Sequence, residues 1–164
     1  MRDDTLRFPP ETHVAKRLEP TINTRLVKYE DLNHHRTLFA GRGAEWLIEA
    51  CFISAARAVG RPEDVVCVQI NGMTFRKSAN RGDLVEVSAQ VGHVGRSSLT
   101  VVGTATINGD PGSVVNCTCV FVTVDANGKA NSHGVTLPPE YQEAYRDVCA
   151  QARAAYESGK KGTG

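Results

Sequence analysis

Two glutamates, Glu45 and Glu49, lie four positions apart in the stretch Leu38–Val59, which forms a helix by its spacing and is apolar on almost every face. Residues four apart lie on the same side of a helix, so the two carboxylates repel each other. A helix that is hydrophobic nearly all round is usually buried, and burial beside a like charge raises the pKa of a carboxyl group. We therefore expect a carboxylate suited to general-base chemistry near neutral pH.

The two glutamates differ in their neighbours along the helix. Arg42 precedes Glu45 by one helical turn and is close enough to neutralise its charge. Glu49 has no basic residue one turn away on the helix. Glu49 is therefore the better candidate for chemistry, and we expect Glu45 to contribute to packing or stability.

The overall composition excludes several classes of partner. A chain of 164 residues suits one domain with a sizeable core. Its 19 basic and 18 acidic residues are interspersed, which indicates neither nucleic acid nor an anionic membrane as a partner. The longest apolar run is shorter than the roughly 20 residues of a membrane span, and the first ten residues lack the apolar core of a signal peptide. We expect a cytoplasmic protein.

Cysteines and histidines offer no recognisable metal site in the sequence. The five cysteines are an odd number without C-x-x-C spacing, which argues against a disulfide framework and a zinc site. Cys117 and Cys119 alternate with apolar residues and are interpreted as small core residues. His34 and His35 are adjacent, so their side chains diverge on regular backbone. We expect no bound metal.

The pattern of the chain predicts an α+β fold. A short strand, Thr24–Tyr29, precedes the apolar helix, and four runs with period-two character follow it: Val65–Phe75, Asp83–Val94, Ser97–Ile107 and Val114–Val124. One strand, one buried helix and a four-stranded antiparallel meander describe a curved sheet wrapped around a central helix, the hotdog fold. We divide the chain into an N-terminal arm (1–20), a hotdog domain (21–137), a C-terminal amphipathic helix (138–158) and a flexible tail (159–164).

Ordered segments of the chain also resemble one enzyme family. The run Asn33–Gly41, followed by Glu49, resembles the Asn…(Leu/Ile)-Phe-Gly-Gly…Asp/Glu signature of hotdog acyl-CoA thioesterases. Three later segments resemble that family in the same order: Gly82–Val85, Gly95–Leu99 and Val122–Lys129. Two departures are visible, because Ala40 replaces the first glycine of the pair and Glu49 lies one position later than the Asp of bacterial members. The order of the segments carries the resemblance.

The resemblance implies an acyl-CoA hydrolase without a cofactor, CoA being part of the substrate. The amides of Ala40 and Gly41, at the helix start, would hold the developing oxyanion, and Glu49 would act as base or nucleophile. Asn33 would orient the water or the thioester, or serve only as a loop residue.

Binding of CoA and assembly also follow from the resemblance. A turn after the third predicted strand would lie near the CoA phosphates; its residues are Gly95, Arg96, Ser97 and Ser98. The family forms its active sites between two subunits, which implies a homodimer or an assembly of dimers.

Two other functions remain open. His35 precedes Glu49 by the interval found in hotdog dehydratases, so a dehydratase or hydratase of 3-hydroxyacyl or enoyl thioesters is one alternative. A non-catalytic acyl-CoA-binding protein is the other, because a fold does not fix a function. Acyl chain length and head group depend on the shape of the pocket.

Overall fold

A five-stranded antiparallel sheet with a helix against it forms the body of the molecule, as seen in a computed structural model that describes residues 17–162. The elements are β1 (Thr21–Leu26), α1 (Ala40–Val59), β2 (Val65–Gly72), β3 (Leu84–Val94), β4 (Ser98–Ile107), β5 (Asp110–Thr123), α2 (Pro139–Ala144) and α3 (Arg146–Lys161). The antiparallel sheet around a central helix confirms the predicted fold class. Most of the expected N-terminal arm, 1–20, lies outside the described residues.

The order of strands across the sheet is β1-β3-β4-β5-β2. The strands β3, β4 and β5 form a meander, as predicted, and the turn between β4 and β5 places Asn108 and Gly109 at positive φ, as a tight hairpin requires. The prediction of four consecutive paired strands was wrong, because β2 pairs with β5 and not with β3. The connection 73–83 carries the chain across the sheet, so β1 and β2 become its two edges.

Close contact between α1 and the sheet depends on Gly103 in β4. A Cβ atom there would lie 2.6 Å from the Cys51 Sγ and 3.0 Å from the Leu47 Cδ1 of α1. The helix therefore approaches the sheet backbone at this point. Cys117 and Cys119 of β5 are buried in the same core, which confirms their interpretation as core residues.

The helix α3 packs on β3 and β4. Gly92 of β3 permits this, because a Cβ atom there would lie 2.6 Å from both the Ala152 Cβ and the Val148 carbonyl oxygen. The predicted C-terminal helix is divided at Tyr145, whose φ of −120° departs from helical geometry. Its second part continues to Lys161, three residues into the segment expected as a tail. None of the described helices has the length and apolarity needed to span a membrane.

Candidate functional site

The loop before α1 is organised by the side chain of Asn33. Its Oδ1 accepts hydrogen bonds from the amides of His35 (2.9 Å) and Thr37 (3.3 Å), and its Nδ2 donates to the Thr37 Oγ1 (3.2 Å). An asparagine that binds the backbone two residues ahead is a common turn former. The structure therefore shows a loop-forming role for Asn33, and a role in orienting substrate remains a prediction.

The start of α1 presents two free amides. The Phe39 carbonyl accepts hydrogen bonds from the amides of Arg42 (2.9 Å) and Gly43 (3.2 Å). No group within residues 17–162 accepts a hydrogen bond from the amides of Ala40 and Gly41. Such amides lie at the positive end of the helix dipole and attract negative charge. At Gly41 a Cβ atom would lie 2.5 Å from the Phe39 ring, so glycine allows this ring to lie against the helix start.

A cavity of about 220 Å³ lies beside this helix start. Its apolar lining comes from the loop before α1, from α1 itself, from the connection 73–83 and from the adjacent ends of β3, β4 and β5: Leu38, Ala40, Gly43, Leu47, Phe75, Ala79, Val85, Ala105, Ile107 and Val115. Asn33 and Ala40, two of the predicted site residues, both line it. Among the described residues, the charged side chains in the lining are Arg76 and Lys77, and none of the lining residues carries a carboxylate. A mostly apolar cavity with a few polar groups is typical of a ligand pocket.

Both helix glutamates are exposed, which corrects the expectation that they are buried. The side chain of Glu45 is 60% exposed and that of Glu49 is 50% exposed. The helix buries Leu47 and Cys51 against the sheet and turns the glutamates away from it. The expectation of burial was wrong because apolar residues also lie on the side of the helix that carries the glutamates, and the sheet does not cover that side. Ile53, for example, is partly exposed there.

Each glutamate has a basic partner. The Arg42 Nη1 lies 3.0 Å from the Glu45 Oε2, as the spacing predicted, and Arg42 Nε also lies 3.4 Å from the buried Asp31 carboxylate. Glu49 is paired with Arg25 of β1, at 3.5 Å between Nη2 and Oε2. No local pattern indicates this second pair, because the tertiary fold brings the two residues together from distant positions in the chain. Glu49 thus lies on the β1 side of α1 and outside the cavity lining.

The turn Gly95–Ser98 lies far from the cavity. The Gly95 amide donates to the Ser98 carbonyl at 2.9 Å, closing the connection between β3 and β4. The cavity lies at the other end of β4, at Ile107. Ser98 and Ile107 are the two ends of the strand β4, nine residue steps apart, which corresponds to about 30 Å of extended chain. Within one chain, therefore, the predicted CoA-binding turn and the predicted catalytic loop are not brought together.

Four residues beside this turn were not singled out by sequence reasoning. The His133 ring contacts the turn, with Nε2 3.0 Å from the Ser98 carbonyl oxygen. The rings of His93 and Tyr156 lie 4.7 Å apart, and the Lys160 ammonium lies 4.7 Å from the centre of the Tyr156 ring. No motif marks these residues, since α3 and the segment after β5 reach the turn only through the tertiary fold.

Within residues 17–162, no group of ligand atoms close enough together to hold a metal ion contains a histidine. The rings of His34 and His35 are exposed and lie 3.9 Å apart, and no contact between His35 and Glu49 occurs in residues 17–162. One group of ligand atoms is close together, the Sγ atoms of Cys51, Cys117 and Cys119, all within 4.8 Å of one another in the core. Hydrogen bonds between these thiols, with burial, raise the pKa of Cys51. The neutral thiol therefore suits the core.

Comparison with known proteins gives consistent matches. Residues 35–112 match the family model of the thioesterase superfamily. A Bacillus subtilis protein, the uncharacterized acyl-CoA thioester hydrolase YkhA, is 28% identical over 156 residues, which cover 93% of this chain and 89% of the relative.

Solved structures share the fold over most of the chain. An acyl-CoA hydrolase from Staphylococcus aureus, solved with butyryl coenzyme A, coenzyme A and coenzyme A disulfide, is 25% identical with a TM-score of 0.67, over 88% of this chain and 92% of that one. A hexameric thioesterase from Yersinia pestis is 27% identical with a TM-score of 0.60, over 70% of this chain and 93% of that one. These matches support the hotdog fold predicted from the order of helix and strands.

Proposed function

We propose that this chain, a hotdog-fold member of the thioesterase superfamily, hydrolyses an acyl-CoA to a free acid and CoA. The observation that carries the proposal is the apolar cavity beside the free amides of Ala40 and Gly41. The similarity to an acyl-CoA hydrolase solved with CoA ligands supports the substrate class. The cavity would take the acyl chain and the amides would face the thioester carbonyl.

The chemistry requires a group that stabilises the oxyanion and a group that activates water. The amides of Ala40 and Gly41 suit the first task, because they are fixed donors at a helix start. Glu49 is the candidate for the second task, as base or as nucleophile. Hydrolysis by these groups needs no cofactor, since CoA enters as part of the substrate.

A second copy of the chain is needed to complete this site. Within residues 17–162, the cavity of one chain has no carboxylate in its lining, and the turn Gly95–Ser98 lies at the opposite end of β4. We propose that two copies pair along β2, one of the two edges of the sheet within residues 17–162, which exposes Val66, Val68 and Ile70. Exposed apolar residues on an edge strand favour pairing with another strand. The hexameric state of the similar Yersinia pestis thioesterase is compatible with assembly from such dimers.

The geometry of that pairing brings the two halves of the site to one end of the sheet. If two β2 strands pair antiparallel about a two-fold axis, the β4 strands of the two copies run in opposite directions. The Ser98 end of one β4 then lies at the same end of the joined sheet as the Ile107 end of the other. Five strand spacings separate these β4 strands, or about 24 Å. An extended CoA would run from the cavity of one copy towards the turn of the other.

One observation favours a second function, acyl-CoA binding without hydrolysis. Ile48 stands at the position where bacterial members of the family carry Asp, and Glu49 follows it. Successive residues of a helix point about 100° apart, so Glu49 is directed towards Arg25 of β1. A pocket without a correctly placed base would bind the substrate and release it unchanged. No observation favours the dehydratase, since His35 lies exposed in the loop.

A substrate panel tests these functions. Short, medium, long and aryl acyl-CoAs are mixed with the purified protein and a thiol reagent, and binding of the same compounds is followed by calorimetry. We expect thiol release for at least one class. Binding without thiol release would support the binding protein, and turnover of crotonyl or 3-hydroxyacyl thioesters without thiol release would support the dehydratase.

A further inference from the structure

Three cysteine thiols meet in the core between α1 and the sheet. Cys51 comes from α1, and Cys117 and Cys119 come from β5, where residues two apart share one face of the strand. Their Sγ atoms all lie within 4.8 Å of one another, and those of Cys51 and Cys117 are 4.0 Å apart. Each of the three residues is at most 2% exposed. This three-cysteine cluster therefore brings soft ligand atoms from two elements to one buried point.

The spacing of the sulfur atoms suits a single three-coordinate ion. A metal–sulfur bond in a protein is about 2.3 Å long, so three sulfur atoms in one plane around such an ion lie about 4 Å apart. The 4.0 Å between the Cys51 and Cys117 Sγ atoms agrees with this distance. Since no distance within the cluster exceeds 4.8 Å, the Cys119 sulfur has at most about 1 Å to move. The three thiols are thus nearly in position to bind one ion together.

The apolar surroundings of the cluster determine which ionic charge it can hold. The same core contains Leu47, Leu99 and Phe121, and uncompensated charge in such a place is strongly unfavourable. Three thiolates leave two negative charges around a monovalent copper ion and one around a divalent zinc ion, whereas their charges cancel around a trivalent ion. Structural zinc also takes a fourth ligand, and within residues 17–162 the group of close ligand atoms consists of these three thiols. A trivalent, three-coordinate ion fits best.

We propose that Cys51, Cys117 and Cys119 form a binding site for a trivalent metalloid, of which arsenite is the simplest example. Arsenite enters as the uncharged acid As(OH)3. Each thiol transfers its proton to one hydroxide, which leaves as water, while the sulfur forms a bond to arsenic. The products are As(SR)3 and three water molecules, so arsenic stays trivalent and the core gains no charge. Neutral thiols, which apolar burial favours, are the reactants that this exchange requires.

The cavity beside the start of α1 leads towards the three-cysteine cluster. Leu47 and Val115 line that cavity. Cys51 follows Leu47 by one helical turn, and Cys117 follows Val115 by two positions on the same face of β5. The thiols are therefore the next side chains on these faces beyond the cavity lining. A small uncharged molecule in the cavity is one layer of side chains away from them.

Native mass spectrometry and arsenic X-ray absorption test the site. Protein reduced with a phosphine, which adds no competing thiol, is treated with sodium arsenite both when folded and during refolding from denaturant. We expect the protein mass to show one arsenic atom in place of three hydrogen atoms, and the absorption spectrum to show three sulfur neighbours and no oxygen. An arsenic atom that keeps a hydroxyl group would overturn the proposal, as would protein without arsenic in both samples.

Cysteine variants assign the bound arsenic to the cluster. Cys51→Ala and Cys119→Ala each remove one ligand, on different elements, so both should lose the three-sulfur adduct. Cys67→Ser and Cys149→Ser are the matched controls, because these cysteines lie outside the cluster, Cys67 exposed and Cys149 half-buried. Both controls should bind arsenic as wild type does, with circular dichroism confirming that each variant is folded. An unchanged adduct in Cys51→Ala and Cys119→Ala, or its loss in Cys67→Ser, would overturn the assignment. These measurements do not depend on hydrolysis of acyl-CoA.

Discussion

The carboxylate of Glu49 in α1 lies 3.5 Å from the guanidinium of Arg25 in β1. Both side chains are partly exposed, and an ion pair of this kind contributes at most about 1 kcal/mol to stability. The pair connects the central helix to the edge strand opposite β2. Its main effect is therefore to direct the Glu49 side chain, which is the candidate for water activation.

Replacement of Glu49 tests that role. Glu49→Gln keeps the shape of the side chain and removes the proton acceptor, so we expect kcat to fall by about 10²- to 10⁴-fold, with CoA affinity unchanged. The measurement is thiol release under saturating acyl-CoA.

Glu45→Gln is the control for this change. It removes a similarly exposed carboxylate one turn away, whose partner is Arg42, and it should leave kcat within about twofold because its effect is limited to a weak surface pair. An inactive Glu45→Gln beside an active Glu49→Gln would show that the assignment of the two helix positions is reversed.

Disruption of the β2 edge tests the shared site. Val68→Lys places a charge among exposed apolar residues of β2, where a second copy would pair. We expect light scattering to show a smaller assembly and thiol release to be lost with it. Ile22→Lys makes the same kind of change on the β1 edge, where Ile22 is also exposed, and it should preserve assembly and activity. Full activity of a monomeric Val68→Lys variant would contradict a site shared between copies.

The sequence predicted which segments form helices and strands better than it predicted which strands pair with each other. Hydrophobic periodicity located α1 between Leu38 and Val59, two residues from its observed start, because an apolar helix and its Gly60 stop are local features. The pairing of β2 with β5 was missed, since strand order depends on where the connection 73–83 leads the chain. Local patterns determine an element, whereas the packing of the whole chain determines its neighbour.

The same contrast between local patterns and long-range packing applies to the candidate site. Asn33 and Ala40 come together at the cavity because they lie close in sequence beside one helix start. The exposure of Glu49 and its contact with Arg25 were not predictable, because an apolar helix sequence does not reveal which face the sheet covers. Tyr156 lies beside the turn Gly95–Ser98 through the packing of α3, which leaves no mark in a motif.

Stability at alkaline pH should depend on Tyr141. Burial raises the pKa of Tyr141 to about 12, from an ordinary value of about 10, and its hydroxyl donates to the Val91 carbonyl at 2.6 Å. The folded state therefore keeps a proton that the unfolded state loses. The contribution of Tyr141 is complete below about pH 10 and is lost as the pH rises towards 12. Denaturant unfolding should show a falling free energy of unfolding across this window.

Two phenylalanine variants isolate this effect from the other groups that titrate there. Tyr141→Phe should lower the free energy of unfolding at neutral pH by about 1 kcal/mol, through loss of the hydrogen bond, and should flatten its decline above pH 10. Tyr29→Phe removes an exposed hydroxyl and should follow wild type. Identical curves for wild type and Tyr141→Phe would contradict the burial of a neutral phenol at this position.

The contact between α1 and β4 at Gly103 gives a prediction for the core. Alanine is normally preferred to glycine inside a strand, because glycine has more backbone freedom to lose on folding. Gly103→Ala should nevertheless destabilise the protein, by about 1–3 kcal/mol, since the new Cβ atom would lie 2.6 Å from the Cys51 Sγ. Thermal and denaturant unfolding measure the change.

A double-mutant cycle assigns that cost to the contact itself. Cys51→Ala removes the sulfur that the new methyl group would meet, so Gly103→Ala should cost less in this background than in wild type. The relief should be partial, because the Cys117 Sγ and the Leu47 Cδ1 would also lie 3.0 Å from the added Cβ. Strict additivity of the two changes would show that the cost of Gly103→Ala does not arise from contact with the Cys51 Sγ.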